Sequence, residues 1–324
     1  MICSAAPAKV ILFGEHFVVK DKPAIVTAVN LYAKTCITEL ESEKHLLISK
    51  QLRLETDIDK DRVPEQLAQF KHIYEIINDK YGITRGFKAF IDSDIPVSSG
   101  MGSSAATAVS FTYSLLRFLG VEFELEDINN IAYEAEKLVH GKPSGIDNTV
   151  STYGGIIYYK RGYMEKLNVK WPQNLSLVVV DSGIKRNTGK VVMDVLERYE
   201  RHKEIMKHIY DAAEQLVNKA RNLILSGRFY DLGELISINQ GLLESIGVSI
   251  YETDKIIYAM IENGALGAKI SGAGRGGIVY GLFMENNLNK AIHKLKNIGY
   301  KPIIVKPVEK GVIELQDSLM NIHY

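Results

Sequence analysis

Pro96 to Ala106, PVSSGMGSSAA, restricts this chain more than any other stretch. Gly100 and Gly102 lack a Cβ, so the backbone can enter left-handed conformations and aim several N–H groups at one point, a concavity suited to phosphate. Ser103 and Ser104 then open a run, AATAVSFTYSLLRFL, whose apolar residues Ala105, Val109, Leu116 and Leu119 recur at helical spacing. The stretch predicts a loop that hands its ligand to a helix N-terminus, where unpaired amides and the positive dipole end coincide. An ordinary strand-turn-helix connection would use the same residue types. Gly100, Gly102 and Ala105 also satisfy G-x-G-x-x-A, but a dinucleotide site needs a strand ending in an acidic residue ~20 positions later. Here VEFELED runs into another amphipathic helix. Walker A, G-x-x-x-x-G-K-[ST], is absent from the sequence. A nucleotide-phosphate loop of a different kind is the preferred reading.

The chain is 324 residues long and 46% hydrophobic, enough for a substantial core and for two domains, with the boundary expected at 173/174. This gives an N-terminal unit over 1–173 and a C-terminal one over 174–324. Lys plus Arg equals Asp plus Glu at 39 each, so no global field draws the protein to nucleic acid or an anionic membrane. Cys3 and Cys36 form neither a metal-ligand spacing nor a disulfide framework, which fits a reducing cytosol, although the pair could still bond. MICSAAPAKVILFGEH has no basic leader, and no apolar run approaches the ~20 residues of a membrane span. A soluble, cytoplasmic protein is expected, and a homodimer is left open.

Strand and helix patterns are mixed along the chain. KVILFGEHFVV reads as a strand, a turn at Gly14, Glu15 and His16, and a returning strand. Lys9 is odd in such an apolar strand: it either snorkels at an edge or faces a negative charge. Further strands are expected over 24–39, 46–54 and 86–92, and helices over 61–80 and 126–139. In HGKPSGIDNTVSTYGG, Pro143 forces a turn, Ser144 is a natural N-cap, and Asp147 falls in a helical first turn, where the dipole favours an ionised carboxylate. Helix capping alone also explains an Asp there. Glu136 reads equally as a solvated helix residue and His140 as a structural or capping one. Two strands, GGIIYYKRG and LSLVVVDSG, precede a helical region over 187–226 and helices over 229–245 and 251–263. KISGAGRGG, Lys269 to Gly277, can form a second anion-cradling turn or a plain hairpin turn. The tail adds a helix over 288–297 and strands over 302–305 and 312–315.

Three of these segments, PAKVILFGEH, PVSSGMGSSAA and KISGAGRGG, together resemble the three motifs of the GHMP family of small-molecule kinases, in the family's order. EKLVHGKPSGIDN, and RNT at Arg186 to Thr188, resemble the mevalonate kinase branch more than the galactokinase or homoserine kinase ones. The resemblance implies the family's two-domain α+β fold with the active site in the cleft between domains. It implies an ATP- and Mg2+-dependent kinase acting on the 5-hydroxyl of mevalonate. Alternatives in the same fold are phosphomevalonate kinase, mevalonate 3-kinase and a sugar or homoserine kinase.

Residue by residue, the resemblance implies that Asp147 accepts the substrate's hydroxyl proton and that Lys9 lies beside it. Pro96, Val97, Ser98, Ser99, Gly100, Met101, Gly102, Ser103, Ser104, Ala105 and Ala106 match the loop for the ATP phosphates. Ser104 and Glu136 match the magnesium ligands, while Glu15, His16, Arg186, Thr188, Gly272 and Ala273 match positions near the acceptor. Ala8 stands where many members have glycine, and Arg275 interrupts the glycine run of the third motif without an assigned role.

Overall fold

The structure, a computed structural model, describes residues 1–96, 99–140 and 144–315. Val97, Ser98 and Pro143 lie outside the described residues, as does the side chain of His140. The described chain builds two antiparallel-rich sheets with helices packed on them, the α+β class expected.

The first sheet is laid down by β1 (Ile2–Phe13) and the long β2 (Ala24–Glu39). Ten of the twelve residues of β1 are buried, and its run of small side chains lets helices approach both strands closely. A 3-10 turn, Phe17–Lys20, stands where a returning strand was expected, because Phe17 is drawn into the core against Tyr210. The expected strand over 46–54 is instead a hairpin, β3 (His45–Ser49) and β4 (Leu54–Asp57). Helix α1 (Ala68–Tyr81) starts later than its periodicity suggested, since Pro64 leads first into a 3-10 turn over Glu65–Leu67. Strand β5 (Phe87–Ser93) then feeds α2 (Ser103–Leu119), α3 (Leu125–His140) and α4 (Ile146–Tyr153). Next come β6 (Ile156–Lys160) and β7 (Tyr163–Leu167); the latter, half exposed, carried no apolar pattern to announce it.

Strand β2 serves two partners on one edge: its first four residues pair with β6 and its last seven with β5. Opposite them β1 runs along the whole of β2, but the ladder shifts at Pro7/Ala8, where β2 carries two extra residues. A proline has no N–H to give, so an irregularity falls naturally there. The freed backbone is used elsewhere: the Pro7 carbonyl accepts from Ser151 of α4, and the Lys9 N–H donates to Met101 in the glycine loop, at 2.9 Å each. The interruption thus seats α4 and the loop against the same two residues of β1.

The second sheet holds β8 (Leu175–Asp181), β9 (Ala265–Ser271), β10 (Ile278–Met284) and β11 (Ile303–Val305), in the order β11-β8-β10-β9. Helices α5 (Thr188–Arg201), α6 (Lys203–Leu225), α7 (Leu232–Ser245), α8 (Tyr251–Glu262) and α9 (Glu285–Asn297) belong to this half. The single helical region expected over 187–226 is broken at His202, whose ψ of 41° is not helical. LSLVVV in β8 is buried throughout because both faces are covered. Leu175, Leu177 and Val179 join the core shared with the first sheet, while Val178 and Val180 face a second core under the helices. A last strand, β12 (Ile313–Leu315), returns to pair with β1. Among the described residues no helix is long and apolar enough to cross a membrane.

The cysteine pair whose bonding the sequence leaves open is joined: Cys3 of β1 and Cys36 of β2 are cross-strand partners and form a disulfide. Full reduction is expected to destabilise the protein by about 2–4 kcal/mol. A thiol titration of unreduced, denatured protein should find no free thiol, and thermal melts with and without reductant should differ by several degrees.

Candidate active site

The site is assembled where the glycine loop, β1 and α4 meet. Gly102 is the N-cap of α2 with φ 76°, and Gly100 has φ 85°, both left-handed as the sequence suggested. The loop is braced from within: Ser99 donates to the Pro96 carbonyl (2.8 Å) and accepts from the Met101 N–H, and the Met101 side chain is buried. Ala105 and Ala106 are fully buried where α2 passes over the sheet. A Cβ at Gly102 would stand 3.0 Å from Lys9 Cγ and 3.6 Å from Asp147 Oδ2, so the loop lies directly on these two side chains.

Lys9 is buried and does not snorkel; its ammonium faces Asp147 Oδ1 at 3.2 Å. Asp147 sits in the first turn of α4, as expected, but the cap is Gly145 at φ 75° rather than Ser144. Ser144 lies one position earlier, where its hydroxyl accepts from the Ile146 N–H at 3.4 Å. Glu136 on α3 is buried, not solvated; burial first and the charge of Asp147 second push its carboxyl up to about 8, against the pull of Lys9. Two carboxylates and one lysine therefore share a corner under the loop, Glu136 and Lys9 buried and Asp147 about a third exposed.

Ser104 is half-buried one position into α2, and its hydroxyl donates to Gln69 Oε1 at 2.7 Å. Gln69 is itself held by donating to Thr107 Oγ1. With its proton committed to Gln69, the Ser104 oxygen has lone pairs to offer a cation, and the crowded negative charge at Glu136 and Asp147 would be relieved by one. Among the described residues no three His, Cys, Asp or Glu side chains are grouped to hold a metal alone. One hydroxyl and one or two carboxylates make the sparse set that suits magnesium, which takes phosphates and water for the rest of its shell. The residues fit the group.

The turn after β1 reaches across to the second sheet. His16, at φ 61°, is buried and points Nε2 at the Ala273 carbonyl, 2.8 Å away. Burial holds its imidazole below the usual range, so it is neutral with the proton on Nε2. Glu15 is also buried, and its Oε1 contacts the ammonium of Lys269 on β9, while Oε2 has no partner. Arg186 lies between the glycine-rich turns: a Cβ at Gly100 would come within 2.8 Å of its guanidinium, at Gly272 within 3.6 Å and at Gly277 within 1.6 Å. Its Nε is buried without a partner. Thr188 opens α5, exposed, two residues beyond.

Lys9, Gly102, Asp147 and Glu136 thus converge, with Ser104 on the helix that Gly102 caps; Glu15, His16 and Ala273 form a second group, which Arg186 approaches through Gly272. Gln69 and Lys269 were missed by sequence reasoning. Nothing marks Gln69 among the polar residues of an amphipathic helix, whereas Lys269, a lysine in an apolar strand, carries the same anomaly as Lys9.

Two family models match the chain, the GHMP kinases N-terminal domain over residues 68–155 and the GHMP kinases C-terminal model over residues 201–301. The chain belongs to the GHMP kinases. As a GHMP kinase it is an ATP-dependent small-molecule kinase. It is 38% identical to a protein named mevalonate kinase from Thermococcus sibiricus, over 96% of this chain and 97% of that one. A protein of the same name from Pyrococcus abyssi is 36% identical over the same shares. Among solved structures, L. major mevalonate kinase in complex with R-mevalonate aligns with a TM-score of 0.79 and 31% identity, covering 94% of this chain and 95% of that one. Methanococcus jannaschii mevalonate kinase aligns with a TM-score of 0.83 and 27% identity, covering 94% and 98%.

Within this GHMP kinase, Arg275 turns away from anion binding. Its Nε donates to the Gly247 carbonyl and its Nη1 to Asp194 at 2.5 Å, tying the third motif to α5. Both side chains are about a third exposed, so the pair is worth at most ~1 kcal/mol. Asp194→Asn and Arg275→Gly are each expected to lower the melting temperature slightly and to leave the Michaelis constants for ATP and acceptor unchanged. A several-fold rise in either constant for Arg275→Gly would show that the guanidinium touches phosphate.

Proposed function

We propose that this chain transfers the γ-phosphate of ATP to the 5-hydroxyl of mevalonate, giving 5-phosphomevalonate and ADP, in the mevalonate route to isoprenoids. The observation that carries the reading is the Lys9–Asp147 contact directly beneath Gly102, in a chain whose relatives bear the name mevalonate kinase along nearly their whole length.

The division of labour follows from the chemistry. Phosphoryl transfer spreads negative charge over the moving group, so most of the stabilisation comes from fixed donors and cations. The loop over 96–106 and the N-terminus of α2 offer main-chain N–H groups to the triphosphate. Ser104 and Glu136 would hold Mg2+, which neutralises phosphate charge when bound. Asp147 takes the proton of the attacking alcohol, and Lys9, in contact with the carboxylate, orients it. Arg186, placed between the glycine turns, answers the anion from the other side, with Thr188 beside it. Glu15, His16, Gly272 and Ala273 frame the acceptor. A division into 1–173 and 174–324 is supported by sheet membership, since each part holds one sheet apart from the returning β12. Balanced charge supports a small-molecule partner rather than nucleic acid or membrane, and dependence on ATP supports a cytoplasmic place of work.

In a coupled ADP-release assay, mevalonate is expected to be turned over in preference to its 5-phosphate, galactose and homoserine. Preference for the 5-phosphate would move the assignment to phosphomevalonate kinase, and ADP release with galactose or homoserine alone would move it to those branches. Asp147→Asn should lower the turnover number by ~10²-fold or more with ATP binding retained. A nearly fully active variant would remove Asp147 from the role of base.

A further inference from the structure

Lys269 is completely buried, on a strand of the second sheet, and the mechanism gives it no role. Its ammonium contacts Glu15 Oε1, donates to the Ile270 carbonyl at 2.6 Å, and lies 5.4 Å from the centre of the Tyr280 ring. Tyr280 in turn donates to the Leu12 carbonyl, and Ser271 exchanges hydrogen bonds with both the N–H and the carbonyl of Ile11. The end of β1 is therefore pinned to β9 and β10 around one buried ion pair. Besides Lys269, Lys9 also acts on the Glu15 carboxylate electrostatically, and its ammonium faces Asp147. Charges alternate along this row: Lys269, Glu15, Lys9, Asp147.

We propose that Lys269 is a positioning residue for phosphoryl transfer: by answering the buried charge of Glu15, it leaves the Lys9 ammonium free to face Asp147. The physical reason is competition for one cation. A carboxylate sealed from water must be paired or protonated. With Lys269 in place, Oε1 is paired and Glu15 makes little claim on Lys9. Without it, the cation among the described residues that an ionised Glu15 can draw on is Lys9, and Lys9 leaves Asp147. Burial raises the Glu15 carboxyl and lowers the Lys269 ammonium, so each depends on the other for its charge. The groups around Glu15 are Lys269 on β9, Tyr280 on β10, Lys9 on β1 and neutral His16 beside it, with Arg186 and Arg275 acting on His16 from beyond. Tyr280 is uncharged, its phenol pushed well above its ordinary value by burial and by Glu15. Among the described residues, the two lysines are the cations that act on this carboxylate.

The proposal rests on the mevalonate kinase reading for its kinetic arm, so a second arm needs no substrate. Wild type, Lys269→Met, Glu15→Gln and the double variant Glu15→Gln/Lys269→Met are compared. Wild-type turnover of mevalonate tests the functional reading by itself. Lys269→Met is expected to lose at least ~10-fold in kcat with ATP affinity within ~3-fold of wild type. The deficit should shrink at acidic pH, where Glu15 is protonated and releases Lys9, and grow as pH rises. The double variant, with no buried charge left to answer, should return to within ~3-fold of Glu15→Gln alone. In protein carrying ε-13C lysine, the Lys9 resonance should move in Lys269→Met and return in the double variant. A Lys9 signal that stays in place, or a double variant no better than Lys269→Met, overturns the proposal. If Lys269→Met fails to fold, the charge-free double variant decides: a kcat matching Glu15→Gln supports the row, and a further large loss refutes it.

Discussion

A lysine cannot be buried in a strand unless an opposite charge is brought to it, and among the described residues this molecule buries two of them. Lys9 and Lys269 lie in different sheets, 260 residues apart, and each meets a carboxylate supplied by another element. Desolvation makes such contacts costly to form and more costly to break on one side only. They therefore act less as net sources of stability than as conditions on the fold: α4 must come to β1, and the turn after β1 must come to β9. Once both are met, the glycine loop, the candidate base and the turn carrying Glu15 and His16 have little freedom left.

The interruption of the β1 ladder serves the same end. A regular pairing at Pro7/Ala8 would commit that backbone to β2. Instead the Pro7 carbonyl and the Lys9 N–H bond to α4 and to the loop. Small side chains on β1 and glycines in the loop remove the atoms that would keep these pieces apart. Close approach is thus written twice, once in what the residues lack and once in where the ladder yields.

Much of this was legible in the sequence, and what was not has physical causes. Gly100 and Gly102 announced left-handed backbone, Asp147 a first helical turn, and Lys9 a hidden counter-charge, because each rests on local chemistry. The hairpin over 45–57 read as one strand, since its turn at 50–53 holds neither proline nor glycine. His202 breaks a helix with no residue type to warn of it. The 3-10 turn after Gly14 is a tertiary outcome, set by Phe17 meeting Tyr210. Glu136 read as solvated because its neighbours on α3 are polar, and only the approach of α4 buries it. The partner of Lys269 is Glu15, 254 residues away, and no local pattern can name so distant a contact. The Cys3–Cys36 bond was left open for the same reason: it needs the β1–β2 register, which spacing alone does not supply.

Strand β12 has a bearing on how the chain is made. It pairs Leu315 with Cys3, so that edge of β1 stays bare until synthesis has passed through the second sheet and reached β12. At common rates of translation the wait is on the order of 15–60 s. During it, a strand of small apolar residues offers unsatisfied amides to any passing extended segment. The lysine-bearing strand thus gains its β12 neighbour only after every strand of the second sheet has been made.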